Sequence, residues 1–449
     1  MSQAHDDLPG YRGLALALLS TAGVKVGDIL RITSADKAVD GVLMPRTTVG
    51  DDRHVVLKLK TGYNVGVRVE SSSRIAKIGE GQQPSFTRPP PPPHRSGLPK
   101  VAIVSTGGTI ASKVDYRTGA VQSALTAEDL YSVVPELADI ANVTTDVLYN
   151  VFSENLTPEH WKGMANTVAK YIKDGVDGVI IAQGTDTLGY TAAALSFVLQ
   201  DLPVPVFLVG AQRSSDRPSS DAAPNLIGAV SAAARAPFAV VGVAMHDSTG
   251  DKRIVIHRGT KVRKCHTSRR DAFRSINDEP LAIFDLGDNT LDVNATDLPP
   301  RDKSRMPRLQ TEFERKVTLL KFHPAMDPIA VDHLVNEGYR GIVLEGTGLG
   351  HVSEAWFPAL RNAIGKGLFV GMTSQCLWGT VHMNVYSTGR DLQQIGVVPL
   401  GDMLPETALV KLMWALGKSR DVKDVNQLML TNIAGEYSQR RPTEEVAPA

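Results

Sequence analysis

Val101-Ala102-Ile103-Val104-Ser105-Thr106-Gly107-Gly108-Thr109-Ile110-Ala111-Ser112 opens as a continuous apolar run and then breaks into Thr-Gly-Gly-Thr. An apolar run without polar alternation predicts a strand buried on both faces, as in a parallel sheet. The two glycines let the backbone turn sharply and come close to a ligand. Two hydroxyls then stand at the carboxyl end of a strand, where open α/β sheets bind their ligands. A second stretch, Asp177-Gly178-Val179-Ile180-Ile181-Ala182-Gln183-Gly184-Thr185-Asp186-Thr187, has the same design of apolar strand, glycine and hydroxyl-rich turn. Either stretch alone is compatible with a plain tight turn. Two in one domain point to a shared site.

Outward from these stretches, strands and helices alternate. Expected strands are Val101–Ser105, Gly178–Ala182, Val206–Gly210, Ala239–Ala244, Val317–Phe322, Gly341–Glu345 and Leu368–Met372. Amphipathic segments lie between them: Pro158–Lys173, Leu188–Leu199, Ala222–Ala233, Val331–Glu337, Ser353–Ala363 and Pro405–Leu416. This alternation predicts an α/β fold with a doubly wound parallel sheet. The polar, proline-bearing segment Asn294 to Arg308 reads as the connection between a larger α/β domain, 100–300, and a smaller one, 301–449. Residues 1–80 differ in character. After an apolar helical segment, Leu14–Leu19, come short β-rich pieces separated by turn signals such as Asp40-Gly41 and Thr61-Gly62. They predict a small β-barrel-like N-terminal domain suited to docking or scaffolding. Residues 81–99, with the run Pro89 to Pro93, read as a semi-rigid polyproline linker.

Composition narrows the function classes. Lys+Arg and Asp+Glu are each 48 in 449 residues, so the basic excess of a general nucleic-acid binder is missing. The two cysteines, Cys265 and Cys376, form no C-x-x-C pair, which disfavours a disulfide framework or a cysteine-rich zinc site. Met1 to Pro9 has no signal-peptide pattern, and no apolar run approaches the ~18 residues of a membrane span. A cytoplasmic location and no membrane partner are the expectation.

A threonine hydroxyl is a poor nucleophile near neutral pH and needs a base, a lowered pKa, or both. The chain offers Thr109, with Tyr116 seven residues on in a polar loop, Thr185 beside Asp186, and Lys264 within Lys261-Val262-Arg263-Lys264-Cys265-His266-Thr267-Ser268. Each has a plainer reading. Thr109 can cap a helix, Asp186 can be a turn or cap residue, and Lys264 can belong to a solvated basic set with Arg263, Arg269, Arg270 and Arg274. No G-x-S-x-G elbow, complete phosphate loop or H-E-x-x-H motif is present. Gly346-Thr347-Gly348-Leu349-Gly350 follows an expected strand and reads as a tight turn at the ligand-binding edge.

Taken together, Thr-Gly-Gly-Thr-Ile-Ala-Ser at 106–112, Gly-Thr-Asp-Thr at 184–187, and Lys264 with Thr267-Ser268 resemble the bacterial-type L-asparaginase/glutaminase family over about Lys100 to Gly417. More narrowly, the chain resembles the asparaginase-like D subunits of archaeal-type glutamyl-tRNA(Gln) amidotransferases. That likeness rests on the added N-terminal domain, on Ser153-Glu154-Asn155-Leu156-Thr157-Pro158, on Cys376-Leu377-Trp378-Gly379 and His382-Met383-Asn384-Val385-Tyr386, and on Asp402-Met403-Leu404-Pro405-Glu406-Thr407. The resemblance implies glutamine hydrolysis through an acyl-enzyme on Thr109, with Tyr116 near it on a mobile loop. It implies that Thr185, Asp186 and Lys264 form a second cluster that handles protons. Asp186 would also bind the substrate α-ammonium and Ser153 the α-carboxylate. Gly108 and Thr185 backbone groups would form the oxyanion pocket, whose donors are worth roughly 3 kcal/mol each in comparable hydrolases. It implies no cofactor in this subunit, and ATP and Mg on a kinase/transamidase partner subunit that receives the ammonia and holds most of the Glu-tRNA(Gln). It further implies a homodimer core, with neighbouring chains closing each pocket, and a heterotetramer with the partner. One departure stands out: the family commonly has His before Gly-Thr-Asp-Thr, and here it is Gln183, a neutral amide that cannot carry a proton. Two rival readings are a free-standing L-asparaginase and a non-catalytic amino-acid-binding scaffold on the same fold.

Overall fold

The structure, a computed structural model, describes residues 7–34, 37–46, 51–59, 64–80, 95–108, 112–114, 121–123, 130, 134–213 and 220–438. They fall into two compact units, one comprising 1–92, 109–135 and 213–223, the other the remainder of the chain. In the first unit, five antiparallel strands follow the order Asn64–Arg68, His54–Lys58, Lys37–Leu43, Ile29–Ser34, Arg74–Gly79. Ile29–Ser34 and His54–Lys58 alternate buried and less buried residues, which puts Leu30, Ile32, Val55 and Leu57 on one face. That face and the helix Gly13–Thr21 supply the unit's core, with Leu19 and Leu43 fully buried. Tyr11 bridges two neighbouring strands where one of them ends: its hydroxyl donates to the Met44 carbonyl at 2.7 Å and accepts from Val56 N at 3.0 Å. Burial pushes that hydroxyl's pKa up to about 12.

The second unit is built on an eight-stranded sheet. Its order is Thr290–Val293, Ala282–Asp285, Arg253–Arg258, Val241–His246, Val206–Val209, Gly178–Ala182, Lys100–Ser105, Asn142–Val147. The last five run parallel and the first three add antiparallel strands at one end. The central strands are apolar throughout because both faces are covered: every residue of Gly178–Ala182 and Val206–Val209 is buried. A second parallel sheet follows the order Val317–Lys321, Gly341–Gly346, Phe369–Ser374, Val398–Pro399.

Helices Leu188–Val198 and Pro405–Lys418 join the two sheets in one core, with Phe197 and Trp414 ring centroids 5.8 Å apart. Pro158–Lys173 forms the helix that its spacing predicts, with Pro158 at its first turn and Trp161, Met164, Ala165 and Val168 buried. The segment 294–308 carries the Arg301 guanidinium, which donates to the carbonyls of Ala233, Ala234 and Ala236 at the C-terminal end of helix Ala222–Arg235. A cation there satisfies carbonyls that have no partner within the helix. Among the described residues, no helix is long and apolar enough to cross a membrane.

Candidate active site

Two adjacent parallel strands, Lys100–Ser105 and Gly178–Ala182, end together, with Ser105 opposite Ala182. Thr106 N donates to the Ala182 carbonyl at 2.9 Å and Gln183 N to the Val209 carbonyl at 3.0 Å, so both loops leave the sheet from fixed positions. The two glycines after Thr106 are required by geometry. Gly107 and Gly108 have φ of +113° and +87°. A Cβ on Gly107 would lie 2.3 Å from the Val151 carbonyl oxygen, and one on Gly108 would lie 2.5 Å from Gly184 N. The backbone leading to Thr109 therefore lies against the backbone leading to Thr185. Thr109 and Tyr116 lie outside the described residues, as does the proline run Pro89–Pro93.

Thr185, Asp186 and Thr187 form a short 3-10 turn that runs into helix Leu188–Val198. Lys264 ends the strand Val262–Lys264, which pairs antiparallel with Phe273–Ser275. Its Nζ donates to Thr185 Oγ1 at 2.9 Å and to Asp186 Oδ1 at 2.7 Å. The lysine side chain is mostly buried, at 15% exposure, while Asp186 is 71% exposed. An ammonium on the hydroxyl oxygen stabilises negative charge there as a proton leaves. The exposed carboxylate balances the ammonium and keeps open faces for a cation or a water. Thr185 has room because of Gly210, where a Cβ would lie 2.6 Å from Thr185 Cγ2 and 2.8 Å from the Gln183 carbonyl oxygen.

Ser153 is buried and begins the 3-10 turn Ser153–Asn155. Its carbonyl accepts from Thr187 Oγ1 at 2.7 Å. Its hydroxyl oxygen lies 3.1 Å from the point a Cβ on Gly184 would occupy. Thus Gly108, Ser153, Thr185, Asp186 and Lys264 share one edge of the sheet. Gln183 is buried beneath it; Nε2 donates to the Gly184 carbonyl at 3.4 Å, and Oε1 has no hydrogen-bond partner among the described residues. The Gly346–Gly350 stretch forms the expected turn, with Gly350 N donating to the Thr347 carbonyl at 3.0 Å.

Two features of this edge carried no local sequence signal. Asn225 Nδ2 donates to the Gly210 carbonyl at 3.0 Å and so holds the residue that makes space for Thr185. Arg263, beside Lys264, pairs with Glu406 at 3.2 Å, which ties that strand to the first turn of helix Pro405–Lys418.

Known proteins resemble this chain in sequence and fold. The asparaginase N-terminal model matches residues 100–297, the glutaminase/asparaginase C-terminal domain 316–429, and the GatD N-terminal domain 24–78. The D subunit of glutamyl-tRNA(Gln) amidotransferase from Metallosphaera sedula is 51% identical over 96% of this chain and 97% of its own. The D subunit from Methanopyrus kandleri is 50% identical, with 98% of each chain covered. The chain belongs to the family of glutamyl-tRNA(Gln) amidotransferase D subunits. Among solved structures, the thermostable L-asparaginase from Thermococcus kodakarensis matches with TM-score 0.68 and 33% identity, covering 76% of this chain and all of that one. L-asparaginase I from Vibrio cholerae matches with TM-score 0.66 and 26% identity over 76% of this chain. The expected asparaginase-like α/β architecture, with a β-rich region ahead of it, is borne out.

Proposed function

We propose that this chain is the glutaminase subunit of a tRNA-dependent amidotransferase. It hydrolyses glutamine to glutamate and ammonia, and the ammonia converts Glu-tRNA(Gln) to Gln-tRNA(Gln) on a partner subunit at the expense of ATP. The observation that carries this reading is the near full-length likeness to D subunits, N-terminal domain included. The solved L-asparaginase from Thermococcus kodakarensis spans 76% of this chain, which favours the amidotransferase over a free-standing asparaginase.

In the mechanism that we assign, Thr109 Oγ attacks the glutamine amide carbon, its proton passes to the leaving nitrogen, and ammonia departs from the tetrahedral intermediate. Water then attacks the acyl-enzyme, releasing glutamate and returning the proton to Thr109. Tyr116 supports the first attack. Lys264, charged beside Asp186, polarises Thr185 and lowers the cost of moving protons. Asp186 receives the substrate ammonium on its exposed side, and Ser153 the α-carboxylate. Gly108 and Thr185 supply backbone donors to the developing oxyanion. Gln183 takes the position where the family commonly has His, as a neutral amide that cannot carry a proton. The retained hydroxyls, carboxylate and ammonium argue against a non-catalytic scaffold.

We assign catalysis to 100–300, the smaller α/β domain to 301–449, and docking to residues 1–80 with the 81–99 linker. ATP and Mg act on the kinase/transamidase partner, and this subunit uses no metal. The assembly is a cytoplasmic heterotetramer around a homodimer of this chain, with tRNA held mainly by the partner. The test is ammonia release from glutamine and from asparagine, with and without partner and Glu-tRNA(Gln). Glutamine turnover should rise when both are added. Equal turnover in all conditions, with asparagine preferred, would favour the free-standing asparaginase.

A further inference from the structure

Lys264 sits at one end of a short ribbon, and the base of that ribbon is closed by residues far apart in sequence. Lys261, just before strand Val262–Lys264, is fully buried; its Nζ donates to Asp402 Oδ2 at 2.6 Å and to the Asp402 carbonyl at 3.3 Å. Asn277, two residues beyond strand Phe273–Ser275, donates Nδ2 to the same carbonyl at 3.3 Å and to the Gly379 carbonyl at 3.0 Å. Its Oδ1 accepts from Gly379 N at 2.9 Å. Ser438 completes the ring: its N donates to Asp402 Oδ1 at 3.0 Å and its Oγ to the Asn277 carbonyl at 2.9 Å. Within the ribbon base, Ile276 N donates to the Lys261 carbonyl at 2.8 Å. Both strands of the ribbon thus leave one part-buried clamp centred on Asp402.

A buried lysine–carboxylate pair adds little stability compared with well-packed apolar residues of the same volume. What it fixes is position, since each atom of Asp402 in the clamp has a named partner on a different segment. Three residues of extended chain, rising ~3.3 Å each, carry the clamp's geometry from Lys261 to Lys264. The distance is short, and the ribbon is paired along it. A misplacement of ~1 Å at a reacting group can cost about 100-fold in rate.

We propose that Asp402, gripping Lys261 and Asn277 and held in turn by Ser438, is a positioning residue that sets Lys264 against Thr185 and Asp186. This rests on the role assigned to Lys264 above. The test uses the full chain with its partner subunit, and glutamine turnover in Asp402→Ala, Lys264→Met and the double variant. Asp402→Ala should lower kcat about 10- to 100-fold while KM stays within about threefold, because Asp402 itself contacts none of the residues assigned to hold the substrate. In the Lys264→Met background, Asp402→Ala should lower the residual kcat no further, since the group that it positions is already gone. An equal fold-loss in both backgrounds, or wild-type kcat in Asp402→Ala, would overturn the clamp. If Asp402→Ala does not fold, Asn277→Ala, which keeps the Lys261–Asp402 pair, carries the same comparison, with a loss of about 3- to 10-fold confined to the Lys264 background. Wild-type turnover in Lys264→Met alone would instead refute the role of Lys264, a separate result.

Discussion

Replacing Lys264 with Met keeps an unbranched stem out to Cε and removes the ammonium. Two contacts vanish, to Thr185 Oγ1 at 2.9 Å and to Asp186 Oδ1 at 2.7 Å. Their contributions differ in kind. Asp186 is 71% exposed, so its ion pair is solvent-screened and is worth at most about 1 kcal/mol to the fold. The hydrogen bond to Thr185 is made from a largely buried ammonium and strengthens as the hydroxyl gives up its proton. A charge-assisted bond of this type is worth about 1.5–3 kcal/mol, or roughly 10- to 150-fold in rate, and lost proton handling takes the fall to about 100-fold or more. Catalysis should therefore collapse while the fold survives. Steady-state ammonia release should show kcat down by about two orders of magnitude or more with a smaller change in KM, and the melting temperature should move by at most a few degrees. Near-normal turnover would return Lys264 to the solvated basic set. A large loss of melting temperature with turnover lost in proportion would make the contact structural.

Gly210→Ala places a methyl 2.6 Å from Thr185 Cγ2, so Thr185 must shift; overpacking of about 1–3 kcal/mol and a loss of turnover are expected, and an unchanged melting temperature and rate would contradict the packing. Burial lowers the pKa of His257 from 6.5 to about 3, with Arg274 adding to the shift. The native imidazole is therefore neutral while the unfolded one protonates near 6.5, so its contribution to stability is full above pH ~6.5 and is lost as pH falls towards ~3. His257→Gln should flatten the acid limb of melting temperature against pH, and an unchanged limb would refute the assignment. A glutamine-like diazo ketone should label the peptide Val101 to Lys113, and Thr109→Val should abolish labelling in a folded chain. Labelling on Thr185 would reverse the roles of the two threonines.

The parallel core was legible because its physics is local. Gly178–Ala182 and Pro158–Lys173 have the boundaries that their patterns predict, one an apolar run ended by glycine, the other a proline-started amphipathic helix. The strand Asn142–Val147 was not legible: it is the sheet's edge strand, Asn-Val-Thr-Thr-Asp-Val, with only Val143 buried. The antiparallel strands from Arg253 to Val293 were hidden for a related reason. Arg253–Arg258 carries a charge at each end, and Thr290–Val293 is largely exposed. At the site, the Gly107-Gly108 turn and the Thr185 turn were each visible from their own residues. The convergence of Lys264 on Thr185 spans 79 positions and was reached only through family resemblance. The Lys261–Asp402 pair spans 141 positions; both residues stand in stretches quoted above, yet nothing local marks them as partners, because a buried lysine looks like a surface lysine until its partner is seen.

The most direct measurement follows the nitrogen. Amide-15N glutamine is supplied to the full chain with its partner, ATP, Mg and Glu-tRNA(Gln), and the aminoacyl group recovered from the tRNA is analysed by mass. The label should appear in Gln-tRNA(Gln). With Thr109→Val it should vanish, and unlabelled ammonium should restore amidation without label, because only the glutaminase step is broken. Undiminished label transfer by Thr109→Val would rule out the acyl-enzyme on Thr109. Free ammonia release by the wild type, with no label reaching the tRNA, would contradict the amidotransferase function itself.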